Sequence, residues 1–107
     1  MNSQFKKGIL EMCVLMVLKD QDWYGYDLLK CLRDYFEDLR ESTLYTILRR
    51  LETEGKTHTY MSSLSKGPKR KYYQLTDQGR TYLDQCLGEW DRMQELVNQL
   101  KVDKGGQ

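Results

Sequence analysis

The chain has 107 residues, with 17 Lys+Arg against 16 Asp+Glu and a net charge of +1. That length holds one small domain with about the minimum core for independent stability, and the longest apolar run, Met12 to Leu18, is far too short to span a membrane. Three dispersed cysteines, Cys13, Cys31 and Cys86, argue against a disulfide framework and for a reducing compartment.

Phe5 to Lys19 reads as a first helix, apolar nearly all round, with Glu11 its only charge between Lys7 and Lys19. A helix with so little polar surface needs cover on more than one side, which in a chain this short points to a second subunit. Asp20 to Trp23 reads as a turn. Tyr24 to about Leu39 gives a second helix with Leu28, Leu29, Leu32, Tyr35, Phe36 and Leu39 inward, and Asp27, Lys30, Arg33, Asp34 and Glu37 on its other side. In Glu41 to Gly55, Leu44, Ile47, Leu48 and Leu51 fall at i, i+3, i+4 and i+7, one stripe of a 3.6-period helix. Ser42 is the expected N-cap, and Gly55 suits the left-handed position past the end. The outer surface of this third helix then carries Thr43, Tyr45, Thr46, Arg49, Arg50 and Thr53, with Glu52 and Glu54 held at its C-terminal end.

The period then changes. Thr57 to Ser62 and Lys71 to Leu75 are short β-prone runs, and the basic loop between them contains Gly67 and Pro68. Thr76 reads as the N-cap of a last helix, with Asp77 in its first turn. Leu83, Leu87, Trp90, Met93, Val97 and Leu100 recur at spacings of 4, 3, 3, 4 and 3, close to a heptad seam. No further element remains to cover that seam, so it is expected to pair with its twin across a two-fold axis.

Charge is not evenly spread: Arg40 to Arg80 carries nine bases against four acids, a net +5, and the flanks together carry −4. A basic middle between acidic ends is a local electrostatic footprint. The order of elements describes a mainly α, α+β chain: a winged helix-turn-helix over residues 1–75, a dimerisation helix over 76–101 and a disordered tail over 102–107. In this architecture the third helix enters the major groove. Lys66, Lys69, Arg70 and Lys71 in the wing are then placed for phosphate contacts, which add affinity and salt dependence but little sequence reading.

The strings FKKGILEMCVLMVL, WYGYDLLKCL, STLYTILRRLETEG and GPKRKYYQLTDQGR, followed by a Trp in EW, are similar in order and spacing to the PadR family of bacterial transcriptional regulators. The short length resembles its second subfamily, in which a single C-terminal helix dimerises. That resemblance implies a dimeric repressor, with relief in some members by small aromatic or drug-like compounds. It places Thr43, Tyr45 and Arg49 at recognition-helix positions, Tyr24 and Gly25 at the family's YG pair, and Lys69 to Lys71 in its wing. It places Trp90 at the aromatic that lines a ligand space in drug-responsive relatives. The chain differs after Gly55, where many members carry an aliphatic pair and it has Lys56, Thr57 and His58.

Several sites have two readings. Arg49 and Arg50 serve either DNA or an ion pair with Glu52 or Glu54 at helical spacing. Tyr45 either contacts phosphate or packs half-buried against the wing. Tyr72 and Tyr73 lie on opposite faces of a strand, so one is core and the other exposed. Trp90 either packs a dimer core or stacks on a small aromatic or cationic ligand, with Phe5, Ile9 and Met93 as neighbours and the acids Glu89 and Asp91 favouring a cation.

His58 is the sole histidine and the cysteines show no ligand spacing, so no metal, cofactor or catalytic set is expected. The function expected is a sequence-specific DNA-binding regulator, a homodimer on double-stranded DNA in the cytosol, with no signal-peptide cleavage site at its N-terminus. The alternative is a winged-helix module that binds a partner protein.

Overall fold

A computed structural model describes residues 4–63 and 67–105. Helix α1 (Gln4–Asp20) leads through the two-residue strand β1 (Trp23–Tyr24) into α2 (Gly25–Arg33) and α3 (Glu41–Thr53). The hairpin β2 (Thr57–Ser62) and β3 (Arg70–Leu75) follows, then the long α4 (Asp77–Leu100). The antiparallel sheet has the order β1-β3-β2, with Trp23 opposite Tyr73, Tyr24 opposite Tyr72, and Tyr60 opposite Tyr72. This is the mainly helical winged arrangement that the order of periods implies.

The core is aliphatic. Val14, Leu15 and Leu18 of α1, Leu28, Leu29 and Leu32 of α2, Leu44, Leu48 and Leu51 of α3, and Leu83 of α4 are wholly covered. The stripe predicted for the third helix is therefore the stripe that packs, with Ile47 also buried.

Four local expectations are corrected. Helix α2 stops at Arg33 rather than near Leu39. Beyond it, the Asp34 and Tyr35 amides reach back three residues, to the Cys31 and Leu32 carbonyls, and Leu39 does the same to Phe36. The Arg33 Nε also donates to the Leu39 carbonyl at 2.9 Å. These tight turns keep Leu39 buried and Phe36 half-buried while turning Tyr35 outward, 77% exposed. Trp23 and Tyr24 form a strand rather than a turn and a helix start, because their backbone pairs with β3. Arg40, not Ser42, is the N-cap of α3, and among the described residues no side chain caps that end. The tail expected from residue 102 is not disordered at its start: Lys101–Gly105 continue α4 as a π-helical turn. Residues 106 and 107 of the expected tail lie outside those described.

The joint between α3 and α4 is tightly bonded. Gly55 has φ +78°, a left-handed conformation that suits glycine. The Lys56 amide donates to Leu51 and the Gly55 amide to Glu52, closing the end of α3 as a Schellman motif. The next carbonyls are taken by the start of α4: Gln78 Nε2 donates to Glu54, Thr76 Oγ1 to Gly55 and the Thr76 amide to Lys56. Thr76 Oγ1 also accepts from the Gly79 amide at 2.9 Å, which makes it the predicted N-cap. A Cβ on Gly79 would collide with the Lys56 carbonyl, so the two segments touch backbone to backbone.

Thr57, where β2 begins, is buried, and among the described residues its Oγ1 has no hydrogen-bond partner. A buried hydroxyl without a partner costs about 1–3 kcal/mol. Thr57→Val keeps the shape and removes that cost, so it should stabilise the fold by about 1 kcal/mol, read as a higher urea midpoint at unchanged slope. An unchanged or lower midpoint would show that the hydroxyl is satisfied in solution.

Candidate nucleic-acid interface

On α3 the helical period, in steps of three and four residues, that buries Leu44, Leu48 and Leu51 turns Ser42, Thr46, Arg49 and Thr53 outward, and all four are exposed. The Thr46 and Thr53 hydroxyls donate to the carbonyls four residues back, Ser42 at 2.8 Å and Arg49 at 3.0 Å. They keep oxygen lone pairs on a surface that presents hydroxyls around one guanidinium. Ser42 belongs to this face. Its reading as a cap hid that, although its spacing of four from Thr46 and seven from Arg49 was the available signal.

The flanks of α3 are committed. Tyr45 turns toward the sheet and is half-buried: a Cβ on Gly25 would lie 2.8 Å from its hydroxyl oxygen and 3.2 Å from the Tyr73 ring. Burial, followed by the Glu41 charge, pushes the Tyr45 phenol up. Glu52 accepts from Thr59 Oγ1 at 2.7 Å, fastening α3 to β2. On the opposite flank Arg50 makes an ion pair with Glu11 of α1, 39 residues away, and not with Glu52 or Glu54. Thr43 and Thr46 line the groove between α1 and α3 beside this pair. Arg49 makes no ion pair among the described residues.

The wing is anchored by tyrosines. Strand alternation puts Tyr73 inward and Tyr72 on the outer face. There the Tyr72 ring stacks on Tyr60, with centroids 5.7 Å apart and planes at 15°, and lies 6.2 Å from Tyr24. The Arg70 guanidinium sits 4.8 Å from the Tyr24 ring centroid, a cation–π distance. Asp22 accepts from the Tyr60 hydroxyl at 2.5 Å and from Gln74 at 3.3 Å. On the inner face Lys71 Nζ lies 5.7 Å from the Tyr73 ring. The Arg49 charge also acts on Tyr73, opposing the upward push of burial on its phenol. Lys69 is exposed at the wing, and Lys66 lies outside the described residues.

Helix α4 starts against the end of α1, where Arg80 Nη1 meets the Lys19 carbonyl at 3.4 Å, and passes close enough to Glu11 for that charge to act on Tyr82. From Asp91 to Lys104 every residue is exposed. Of the four residues expected around a ligand, Trp90 and Ile9 are half-buried, whereas Met93 and Phe5 are 53% and 66% exposed. Among the described residues no group of acids, cysteines and histidine could hold a metal, and no helix is long and apolar enough to cross a membrane.

Residues 14–85 match the Transcriptional regulator PadR-like family. The chain belongs to the PadR-like family of transcriptional regulators. It is similar to a crystal structure of a PadR-like transcriptional regulator from Bacillus cereus, with 35% identity and a TM-score of 0.84 over 92% of this chain and 96% of that one. A Streptococcus transcriptional regulator superposes with a TM-score of 0.88 at 32% identity, over 94% of this chain and 99% of that one. An uncharacterized protein of Lysinibacillus sphaericus is 30% identical over 99 residues, 90% of this chain and 91% of that protein. The PadR resemblance and the winged-helix fold are therefore established.

In this PadR-like regulator the wing root has a distinctive titration. The Asp22 carboxylate accepting its proton, more than burial, pushes the Tyr60 phenol up to about 12. Tyr82 also reaches about 12, chiefly by burial and then by its hydrogen bond with Cys86. A raised folded-state pKa stabilises fully below the ordinary phenol value near 10, and the contribution is lost as pH rises toward about 12. Tyrosinate absorbance should therefore rise in two stages. Asp22→Asn should move Tyr60 out of the late stage and leave Tyr82 in it, whereas an unchanged late stage would mean that Asp22 does not hold the phenol.

Proposed function

We propose that this PadR-like regulator is a homodimeric, DNA-binding repressor acting in the cytosol. The observation that supports it most is the exposed stripe Ser42, Thr46, Arg49 and Thr53 on α3, with the wing cation Lys71 beside Tyr73 on the adjoining strand. An exposed guanidinium among hydroxyls matches base edges and phosphates of a major groove, and wing cations match the flanking backbone. Arg49 and Thr46 read the groove. Lys69, Arg70 and Lys71, with Lys66, neutralise phosphates, while Tyr24 and Tyr45 flank the start of α2 and orient the duplex. Thr43 and Arg50, turned toward α1, stand at the edge of this surface.

The dimer follows from α4. Met93, Leu96, Val97, Leu100 and Val102 are exposed in the single chain, and a terminal helix with that seam is satisfied by its twin. Two-fold symmetry then sets a pseudo-palindromic operator, with half-sites about 34–36 Å apart or a multiple of that distance.

Anisotropy of a labelled duplex from the region upstream of the coding sequence, against a scrambled duplex, tests this reading. Wild-type protein should prefer the native duplex and lose affinity steeply with salt. Arg49→Gln should weaken specific binding by about 1–3 kcal/mol and flatten the salt slope by about 1 per subunit. No binding to either duplex at low salt would replace this reading with that of a protein-interaction module.

The same regulator takes a small planar, aromatic or cationic ligand at the dimer centre, where Trp90 stacks on it and Phe5, Ile9 and Met93 close around it. The incomplete cover of these four residues in one chain and the exposed acids Glu89 and Asp91 support this. Titration with planar cationic dyes should quench wild-type tryptophan fluorescence saturably and leave Trp90→Phe unquenched, with Trp23, whose indole donates to the Val17 carbonyl, as constant background. Equal quenching in both proteins would place the dye elsewhere.

A further inference from the structure

Arg49 and Arg50 are neighbours in sequence, yet only Arg50 has a carboxylate partner among the described residues. That partner, Glu11, is the single charge in the apolar middle of α1. The pair is asymmetric: the Glu11 side chain is 14% exposed and that of Arg50 52%. It lies in a groove of about 450 Å³ between the two helices, bordered by Lys7, Gly8, Thr43, Thr46 and Ile47. A mostly covered carboxylate is costly to leave alone, because the charge has lost much of its water, whereas a half-exposed guanidinium keeps its hydration whichever partner it has. The equilibrium of Arg50 is therefore governed by the need of Glu11, not by its own.

We propose that Glu11 is a positioning residue for the DNA-reading helix: it holds Arg50 in the α1–α3 groove and withholds that cation from the duplex. The consequence is a division of labour within one dipeptide. Arg49, uncommitted, meets DNA, and Arg50, committed to α1, limits affinity for phosphates in general. A free cation at the edge of the reading face would strengthen binding to every sequence alike, since phosphate contacts carry no base information. Holding it back lowers non-specific binding while leaving base reading by the stripe of Ser42, Thr46 and Arg49 intact. The restraint sits in the groove that α1 and α3 form together.

This inference rests on the DNA-binding reading above, and its test separates the two. Affinity for native and scrambled duplexes is measured against salt for wild type, Glu11→Gln, Arg50→Gln and the double variant, with melting curves recorded alongside. Glu11→Gln should tighten binding to the scrambled duplex roughly threefold to tenfold at low salt and steepen the salt slope by about 0.9 for each arginine released. Arg50→Gln alone should change either affinity less than twofold. Adding it to Glu11→Gln should remove both the gain and the added slope, which loss of a nearby negative charge or a looser fold would not produce. Glu11→Asp, which keeps the charge, should stay near wild type.

If Glu11→Gln melts too low to assay, wild-type protein still decides the matter. The Arg50 guanidinium signals in nitrogen NMR should be unshifted by saturating duplex, while those of Arg49 move. Wild-type protein that binds no duplex would overturn both readings. Wild-type protein that binds DNA, with Arg50→Gln costing as much as Arg49→Gln or with Glu11→Gln leaving the scrambled duplex unaffected, would overturn this inference alone.

Discussion

The joint at Gly55 and Thr76 is the constraint on which the rest of the molecule depends. A helix end leaves carbonyls without partners, and here those of α3 are satisfied by its own Schellman turn and by the first residues of α4. One threonine hydroxyl serves both elements, donating to Gly55 at the end of α3 and accepting from Gly79 at the start of α4. Gly55 is needed for its left-handed turn and Gly79 for the close approach of its backbone to Lys56. The end of α3 and the root of α4 are therefore one bonded unit, and the direction of α4 fixes that of α3.

A second unit is built from tyrosines. A two-stranded hairpin is marginal by itself, so a wing needs support at its root. It comes from the ladder Tyr24–Tyr72–Tyr60, from Asp22 beneath the Tyr60 hydroxyl, and from Tyr73 packed inward near Tyr45 and Gly25. Arg70 lies against Tyr24 and Lys71 near Tyr73, so two of the wing cations have aromatic surfaces to rest on. Resting there beforehand reduces the side-chain entropy lost when they meet another surface.

What could be read from the sequence follows from the range of each interaction. The buried stripe of α3 and the cap at Thr76 are local patterns, repeated within a turn or two, and they were legible. The strand β1 was not: two residues have no period, and Trp23 and Tyr24 become a strand only through pairing with β3 some fifty residues on. The end of α2 was hidden for the opposite reason. Leu32, Phe36 and Leu39 keep helical spacing although the backbone has changed to tight turns, because those turns return Leu39 to the core and Phe36 to its edge. At the site, the exposed polar face of α3 was legible but the commitments on its flanks were not. The Glu11 partner of Arg50 and the Thr59 partner of Glu52 are tertiary, and Glu52 and Glu54 were nearer candidates in sequence for the arginines.

These units bear on how a ligand at α4 would be felt at α3 in the proposed dimer. A helix of 24 residues is about 36 Å long, so a change of about 5° in the crossing of twin helices displaces their far ends by roughly 3 Å. Because the Gly55–Thr76 joint is bonded rather than hinged, that displacement reaches α3 as a rigid shift and is not absorbed on the way. A shift of that size is comparable with one base-pair rise, enough to spoil the register of two reading helices on fixed half-sites. The ligand would need only to prefer one crossing over the other, since a ligand indifferent to the two spacings moves nothing however tightly it binds. The Glu11–Arg50 pair lies within one chain, so a rigid shift would carry it along unchanged, and what would change is the distance between the two copies of Arg49.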